Sequence, residues 1–200
     1  MSEHYPYRTD TETWRDFRAG NQSAFAYLYN GYVEALYHYG NRLTPDRELI
    51  EDCIQDLFIE LWQHRTTLGD TDSVKFYLFK ALKRKVVKKI VGLRRQSSEQ
   101  PLTDDYDFEI VLSPEFELIT RQVSHDQKER LVVALNSLTP RQKEAITLKF
   151  YDGLSYQEVA TLLAMGTRAT YNLVYRALDV LREHLDKVVF VLLGIGIQGE

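Results

Sequence analysis

Three short segments of this 200-residue chain carry side chains that could bind a partner or react. The first holds Asp52, Gln55 and Asp56, whose spacings of three and four residues place them on one side of a helix. Paired carboxylates can serve as general acid and base, but no histidine, metal-ligand set or glycine loop lies nearby to shift a pKa. We interpret this face as a docking surface, and the alternative is a solvated charged face without a partner.

The second segment interleaves aromatic and basic side chains. Every charged residue from position 75 to 95 is basic, whereas every charged residue from 99 to 117 is acidic. Aromatic rings can stack on unpaired bases while cations hold the phosphates, so the segment is predicted to bind melted DNA. The alternative, that Phe76, Phe79 and Leu82 are core and only the lysines are exposed, is expected to hold in part. The residues predicted for this site are Lys75, Tyr77, Lys80, Lys83 and Arg84.

The third segment carries the start signals of two successive helices. Thr139 with Gln142, and again Ser155 with Glu158, have the spacing of a capping box. After a short turn, Thr167 is expected to cap a last helix. Two short helices joined by a tight turn are the arrangement that places the second helix in a major groove. The sequence therefore predicts a DNA-binding helix-turn-helix.

The polar face of that last helix is predicted to meet DNA. Arginine and asparagine can hydrogen-bond base edges, and a further arginine can reach a phosphate. The alternative is a helical hairpin inside a larger core, which the two capping boxes and the polar face disfavour. The residues predicted to read DNA are Arg168, Tyr171, Asn172, Tyr175 and Arg176.

Around all three segments the apolar residues recur at helical spacing. A helix is expected from about residue 46, with Pro45 contributing to its start, and its buried face is predicted to be Leu49, Cys53, Leu57 and Leu61. The fold class predicted is all-α, with two small helical domains, a helical bundle and then a helix-turn-helix domain, joined by a flexible acidic linker. The predicted boundaries are residues 1–95, a linker at 96–124, residues 125–187, and an apolar tail at 188–200.

The composition indicates the cofactors and the cellular compartment to expect for this chain. Its only cysteine, Cys53, cannot form an internal disulfide, and no cysteine and histidine cluster has zinc-site spacing, so neither a metal nor another cofactor is expected. The polar N-terminus lacks the pattern of a signal peptide, and the apolar stretch 188–197 is too short to span a bilayer. A cytoplasmic protein is expected. The stretch 188–197 is predicted either to pack on the second domain or to bind an inhibitory partner.

The quoted segments resemble a known family. Residues 50–62, IEDCIQDLFIELW, show a D-x-x-Q-D-x-F-x-x-x-W pattern that resembles the region of RNA polymerase sigma factors that docks on the polymerase clamp. Residues 138–163, followed by YRALDVLR, resemble the second conserved domain of those proteins, which reads the upstream promoter element. The large additional regions of primary sigma factors are absent, so the extracytoplasmic-function subgroup is the one that the chain resembles.

The resemblance implies a non-enzymatic sigma factor with no catalytic residues. By resemblance, Asp52, Gln55 and Asp56 would meet the coiled coil of the beta-prime clamp, and the loop at 66–74 would receive a flipped base. Core RNA polymerase, including its beta flap, promoter DNA and an anti-sigma factor are the implied partners. The family usually has asparagine and aspartate where this chain has Arg84 and Lys88, so its promoter sequence is not carried over.

Three other hypotheses stay open on the residues. The acidic linker, with Asp104, Asp105 and Asp107, could cover the basic helix until polymerase binds. The chain could instead be an ordinary repressor or activator with a ligand-sensing or dimerising bundle, or a decoy that binds the clamp without reading DNA. An enzyme ranks last, because no nucleophile with a base, metal set or phosphate loop is present.

Overall fold

The computed structural model describes residues 9–97, 108–110 and 125–184. These residues form eight α-helices and no strand, which confirms the predicted all-α class. The chain divides into two compact units, residues 1–106 and 107–200, and each unit is described by itself. The helices described in the first unit are α1 (Asp10–Arg18), α2 (Gln22–Leu43), α3 (Arg47–His64) and α4 (Val74–Ser97).

Side-chain caps define where the helices of the first unit begin. Thr9 and Glu12 form a capping box at α1, and the Asn21 side chain accepts the Ala24 N–H at 3.1 Å at α2. The Asp46 carboxylate accepts the Leu49 N–H at 3.0 Å, so Asp46 is the N-cap of α3. Pro45 therefore lies just before the helix, although the sequence predicted it in the first turn.

The core of the first unit is built on aromatic rings and the apolar face of α3. The predicted face of α3 is buried along its length, and Cys53 is fully enclosed. The Tyr39 ring of α2 stacks on Phe79 of α4 with centroids 4.8 Å apart, which ties these two helices together. Trp14 and Phe17 bring α1 into the same core, because both side chains are almost completely buried.

The second unit contains α5 (His125–Asn136), α6 (Pro140–Ile146), a π-helical turn (Thr147–Tyr151), α7 (Tyr156–Leu162) and α8 (Thr167–His184). Both predicted capping boxes form, at Thr139 with Gln142 and at Ser155 with Glu158. The turn before α8 differs from the prediction. The Gly166 carbonyl accepts the Thr170 N–H at 3.0 Å, so Thr167 is the first helical residue and not the cap.

The core of the second unit joins α5, α6 and α8. One cluster of buried residues in this core consists of Leu131, Ala134, Leu138, Ile146, Ala177 and Leu181. The small Ala160 of α7 is 3% exposed, and Ala164 after it takes a left-handed conformation at φ 51°. A residue of this kind reverses the chain in a short distance. The result is the predicted helix-turn-helix, formed by α7 and α8.

Part of the predicted linker and tail lies outside the described residues. This applies to Asp104, Asp105 and Asp107, to which the covering role was assigned, and to the apolar stretch 188–197. Helix α4 continues to Ser97, two residues beyond the predicted boundary. Between α4 and α5 the structure describes only residues 108–110. Phe108 is buried there, so this point of the predicted linker is not freely solvated.

Candidate nucleic-acid and protein interface

The acidic face predicted on α3 is exposed and lies beside the basic helix α4. Asp52, Gln55 and Asp56 are all exposed. The Lys89 ammonium lies between the two carboxylates, 3.8 Å from Asp52 Oδ2 and 3.4 Å from Asp56 Oδ2. One turn earlier in α4, Lys85 donates to Glu60 at 2.6 Å. Exposed pairs of this kind add little stability, but they place opposite charges in register along two packed helices.

An exposed isoleucine extends the predicted docking face. Ile59 is 54% exposed and follows Asp52, Gln55 and Asp56 at the spacing i, i+3, i+4 and i+7, so the four share one side of α3. We call these four residues the α3 stripe. Ile59 was not among the predicted docking residues, although its spacing was a usable signal. An apolar side chain beside charged groups gives a docking face a central contact from which water can be excluded.

Helix α4 presents lysines above aromatic rings. The Lys75 ammonium lies 5.6 Å from the centroid of the Phe79 ring, and the Lys80 ammonium lies 5.7 Å from that of Phe76. Phe79 is fully buried and Phe76 is half-buried, so the core alternative holds in part, as expected. Lys80 and Arg84 are exposed, while Lys75 and Lys83 are half-buried.

Tyr77 is less free than a stacking platform would be. Its ring packs on Trp14 with centroids 5.1 Å apart, and burial raises the pKa of its phenol above the ordinary value. The hydroxyl therefore keeps its proton throughout the physiological range and can act as a hydrogen-bond donor. One side of the ring is occupied by α1, a contact that the sequence analysis did not foresee.

The loop between α3 and α4, residues 65–73, is held by α1. The Trp14 indole N–H donates to the Gly69 carbonyl at 3.1 Å, and the Arg18 guanidinium forms an ion pair with the Asp70 carboxylate. At the far end, the Ser73 hydroxyl accepts the Phe76 N–H at 3.2 Å and caps α4. Trp14 and Arg18 were missed from the sequence, where the only signal was a tryptophan in a polar stretch.

Helix α8 has one buried side and one exposed polar side, and the polar side is the one predicted. Its apolar side is buried, including Thr170, Val174 and Ala177. All five residues predicted to read DNA are exposed, including the large rings of Tyr171, at 51%, and Tyr175, at 61%. The helix-turn-helix therefore offers a polar face with arginine, asparagine and tyrosine, the groups needed to contact base edges and phosphates.

Tyr171 belongs to a three-layer stack. Its ring stacks on that of Tyr156 at the start of α7, with centroids 3.8 Å apart, and the Lys149 ammonium lies 4.8 Å from the centroid of the Tyr156 ring. Lys149 also donates to the Leu154 carbonyl at 3.2 Å. Neither Tyr156 nor Lys149 was identified from the sequence. Tyr156 and Tyr171 become neighbours only when α7 and α8 pack together.

Other kinds of site are not found in the part of the chain that the structure describes. Within it, no three histidine, cysteine, aspartate or glutamate side chains are grouped so that they could hold a metal ion. None of its helices has the length and apolar character needed to cross a membrane. Cys53 is buried, and desolvation raises the pKa of its thiol, as suits a packing residue.

Two family models match the chain, one in each unit. The sigma-70 region 2 model matches residues 28–98, and the sigma-70 region 4 model matches residues 128–181. Together these stretches make up more than half of the sequence. The first contains the α3 stripe and α4, and the second contains the helix-turn-helix with its exposed face.

Two curated relatives match most of the chain. The chain is 27% identical to the ECF RNA polymerase sigma factor SigK of Mycobacterium ulcerans, over 86% of this chain and 91% of the relative. It is 24% identical to the ECF RNA polymerase sigma factor SigX of Bacillus subtilis, over 82% of this chain and 85% of the relative. The matches extend over nearly the full length of both proteins.

Solved structures share the fold. The sigma factor RpoE from Bartonella quintana, in complex with the anti-sigma factor NepR, matches with a TM-score of 0.55 and 22% identity, over 80% of this chain and 94% of that one. CnrH, in complex with the cytosolic domain of CnrY, matches with a TM-score of 0.55 and 21% identity, over 87% and 95%.

With both conserved regions present in order, the chain belongs to the sigma-70 family, whose members are transcription factors and not catalysts. Within that family it is an extracytoplasmic-function RNA polymerase sigma factor. It binds core RNA polymerase and directs promoter-specific initiation of transcription. This confirms the resemblance noted in the sequence.

Proposed function

We propose that the α3 stripe is the surface through which this sigma factor docks on the coiled coil of the beta-prime clamp. Its three polar members offer two carboxylates and an amide to basic or amide partners, and Ile59 offers an apolar contact. The observation that supports this role most directly is the exposure of all four side chains on one side of a helix whose other side is core. Such a face is rigid before binding, which lowers the entropic cost of docking.

The neighbouring helix and loop are proposed to open the downstream promoter element. The loop at 66–74 would receive a flipped base, while Lys75, Lys80, Lys83 and Arg84 hold the phosphates of the separated strand and Tyr77 contributes its ring edge or hydroxyl. Extruding a base costs a few kcal/mol, which phosphate contacts and the pocket can offset. The charges on α4 suit this role, because every charged residue from position 75 onward in that helix is lysine or arginine.

The upstream element is proposed to be read by α8. Arg168 and Asn172 lie near its start, where helix-turn-helix proteins contact base edges, and Arg176 is one turn further along, where a phosphate can be reached. Tyr171 and Tyr175 present large rings suited to apolar contact with thymine methyl groups. All five side chains are exposed, so none has to leave the core in order to bind.

The remaining assignments concern organisation and partners. We propose functional domains at residues 1–95 and 125–187, the second also contacting the beta flap, with the linker at 96–124 and the tail at 188–200. An anti-sigma factor is a further proposed partner, supported by the likeness to RpoE, which was solved with one. No cofactor or catalysis is assigned, and the proposed location is the cytoplasm, where core polymerase works.

Run-off transcription tests these roles. Purified core polymerase and a randomised promoter library are combined with the wild-type chain or with the Asp52→Ala, Asp56→Ala double variant. We expect specific initiation with the wild type and its loss with the double variant, together with weaker polymerase binding. The matched control is Glu34→Ala with Glu183→Ala, which removes the same charge from exposed positions on α2 and α8, away from the stripe.

Each contrary outcome has a definite meaning. Equal initiation by the double variant would move the docking site away from the stripe. Tight polymerase binding without initiation from any library member would favour the decoy. Loss of initiation in the control as well would show that net charge, and not the stripe, controls docking.

A further inference from the structure

We propose that helix α1 is a brace that positions the loop at residues 65–73 for base capture, with Trp14 and Arg18 as the positioning residues. The inference rests on the proposed role of that loop. Helix α1 ends at Arg18, before the first residue matched by the region 2 model, so this role is an addition to the family match.

The first contact joins a buried side chain to the loop backbone. Trp14 has no exposed surface, and its indole N–H donates to the Gly69 carbonyl at 3.1 Å across 55 positions of sequence. A buried indole N–H needs an acceptor, and an exposed loop carbonyl gains a fixed donor. The bond therefore restrains the backbone of the loop at a glycine, the residue type with the greatest conformational freedom.

The second contact reaches the next residue of the loop. Arg18 lies one helical turn after Trp14 on the same side of α1, and its guanidinium forms an ion pair with the Asp70 carboxylate. The Arg18 side chain is 28% exposed and that of Asp70 is 63% exposed, so the pair lies at the solvent boundary of the loop. One helix face thus holds two successive loop residues, one by its carbonyl and one by its side chain.

The third contact joins the brace to the DNA-binding helix. The Trp14 ring packs against Tyr77, with centroids 5.1 Å apart, in the first turn of α4. The same indole therefore contacts both the loop and the helix that follows it. Helix α1 is itself anchored by its capping box, by the buried Phe17, and by a hydrogen bond from the Tyr32 hydroxyl to Asp10.

These contacts explain why a polar loop could hold one shape before DNA arrives. Residues 69 and 70 are exposed and have no apolar side chain to pack, so a loop of this composition is otherwise free to sample many conformations. A loop held in its binding shape loses less entropy when a base enters. Weakening the brace should therefore reduce base capture while leaving polymerase docking intact.

The test measures binding of holoenzyme to single-stranded downstream-element DNA of a promoter selected from the library. One oligonucleotide carries the captured base, and a second is abasic at that position. The variants are Trp14→Phe, which keeps an aromatic ring but removes the N–H, and Arg18→Gln, which removes the ion pair at a partly exposed site. Arg15→Gln is the matched control, because Arg15 is an exposed arginine on α1 without a contact to Gly69 or Asp70 among those described.

We expect the wild type and Arg15→Gln to bind the intact oligonucleotide more tightly than the abasic one. Trp14→Phe and Arg18→Gln should each reduce this preference about two- to tenfold, the range that corresponds to the loss of one hydrogen bond or one exposed ion pair. Affinity for core polymerase should stay constant. Exchanging the charges, with Arg18→Asp and Asp70→Arg together, should restore part of the preference.

Two outcomes would overturn the inference, and they are distinguishable. If Trp14→Phe and Arg18→Gln discriminate as well as the wild type, α1 does not position the loop, although base capture by the loop survives. If the wild type itself fails to distinguish intact from abasic DNA, the proposed base capture is wrong and the brace has nothing to position.

Discussion

Replacing Ile59 of the α3 stripe with alanine should weaken docking on core polymerase while the chain stays folded. The side chain is 54% exposed in the free chain, so roughly half of its apolar surface is available to a partner. Complete burial of an isoleucine side chain is worth about 1.5–3 kcal/mol, and burial of the exposed half is then worth about 0.8–1.6 kcal/mol. That energy corresponds to an increase of about 4- to 15-fold in the Kd for core polymerase.

The same substitution should change stability much less than a core truncation. The half of the side chain that already packs on the protein loses its contacts, but alanine has the higher helix propensity and offsets part of that loss. The free energy of unfolding should fall by less than about 1 kcal/mol. Truncating a fully buried isoleucine to alanine typically lowers it by about 2–5 kcal/mol. The variant therefore stays folded while its docking is measured.

The assay is equilibrium competition between unlabelled variant and labelled wild-type chain for core polymerase, with urea unfolding measured in parallel. Leu93→Ala is the matched control, because Leu93 is also 54% exposed but lies on α4, outside the stripe. Its Kd should equal that of the wild type. An unchanged Kd for Ile59→Ala, in a preparation where Asp52→Ala, Asp56→Ala weakens binding, would refute the apolar contact and leave a purely polar stripe.

Three further predictions follow from single contacts. A Cβ added at Gly40 would lie 2.6 Å from Cγ2 of Ile50, so Gly40→Ala should lower the free energy of unfolding by about 1–3 kcal/mol in a urea titration. A Cβ added at Gly31 in the same helix would meet no atom within 4 Å, so Gly31→Ala should raise the free energy of unfolding by about 0.5–1 kcal/mol. Tyr156→Leu should weaken binding of the upstream element about two- to tenfold in a fluorescence anisotropy titration. The ring stack of Tyr156 on Tyr171, which positions Tyr171 on α8, is worth about 0.5–1.5 kcal/mol. Burial raises the pKa of the Cys53 thiol, so at pH 8 the native chain should react with iodoacetamide far more slowly than the urea-unfolded chain.

The cysteine also predicts the direction of a pH effect on stability. Since the native thiol has the higher pKa, the native state holds its proton more tightly than the unfolded state. The contribution is therefore constant below the pKa of the unfolded thiol and is lost as the pH rises through that value towards the native pKa. Comparison with Cys53→Ala isolates this part, and parallel stability profiles for the two proteins above pH 8 would contradict it.

Controls for the other two predictions use the same helices. Equal effects of Gly40→Ala and Gly31→Ala would show that the close approach of α2 and α3 is not what makes Gly40 necessary. Tyr156→Phe keeps the ring stack and should bind DNA like the wild type. If it weakens binding as much as Tyr156→Leu, the phenol hydroxyl and not the stack is responsible.

Local sequence determined the starts of several helices and the orientation of their faces. The capping boxes at Thr139 and Ser155 form as predicted, because each needs only two residues three positions apart. Periodicity correctly predicted the buried side of α3 and the exposed positions of Asp52 and Asp56, since a helix that packs on a core repeats its faces every 3.6 residues.

Local signals failed where two neighbouring residues competed for one role. The start of α3 at about residue 46 is as predicted, but Pro45 lies before the helix and not in its first turn, because the Asp46 carboxylate accepts the Leu49 N–H and makes Asp46 the N-cap. Thr167 was predicted as a cap, but the first carbonyl of α8 to accept a helical hydrogen bond belongs to Gly166. Such a choice of one position depends on how the preceding turn packs.

The sequence by itself therefore determined the all-α class, the helix-turn-helix, and which residue types are available for docking and for DNA. Only the tertiary structure decided which of them act together. Trp14 meets Gly69 across 55 positions, and Lys89 meets Asp52 and Asp56 across the gap between two helices. Contacts of this length have no periodic signal in the chain, because they depend on how whole helices pack and not on the spacing within any one of them.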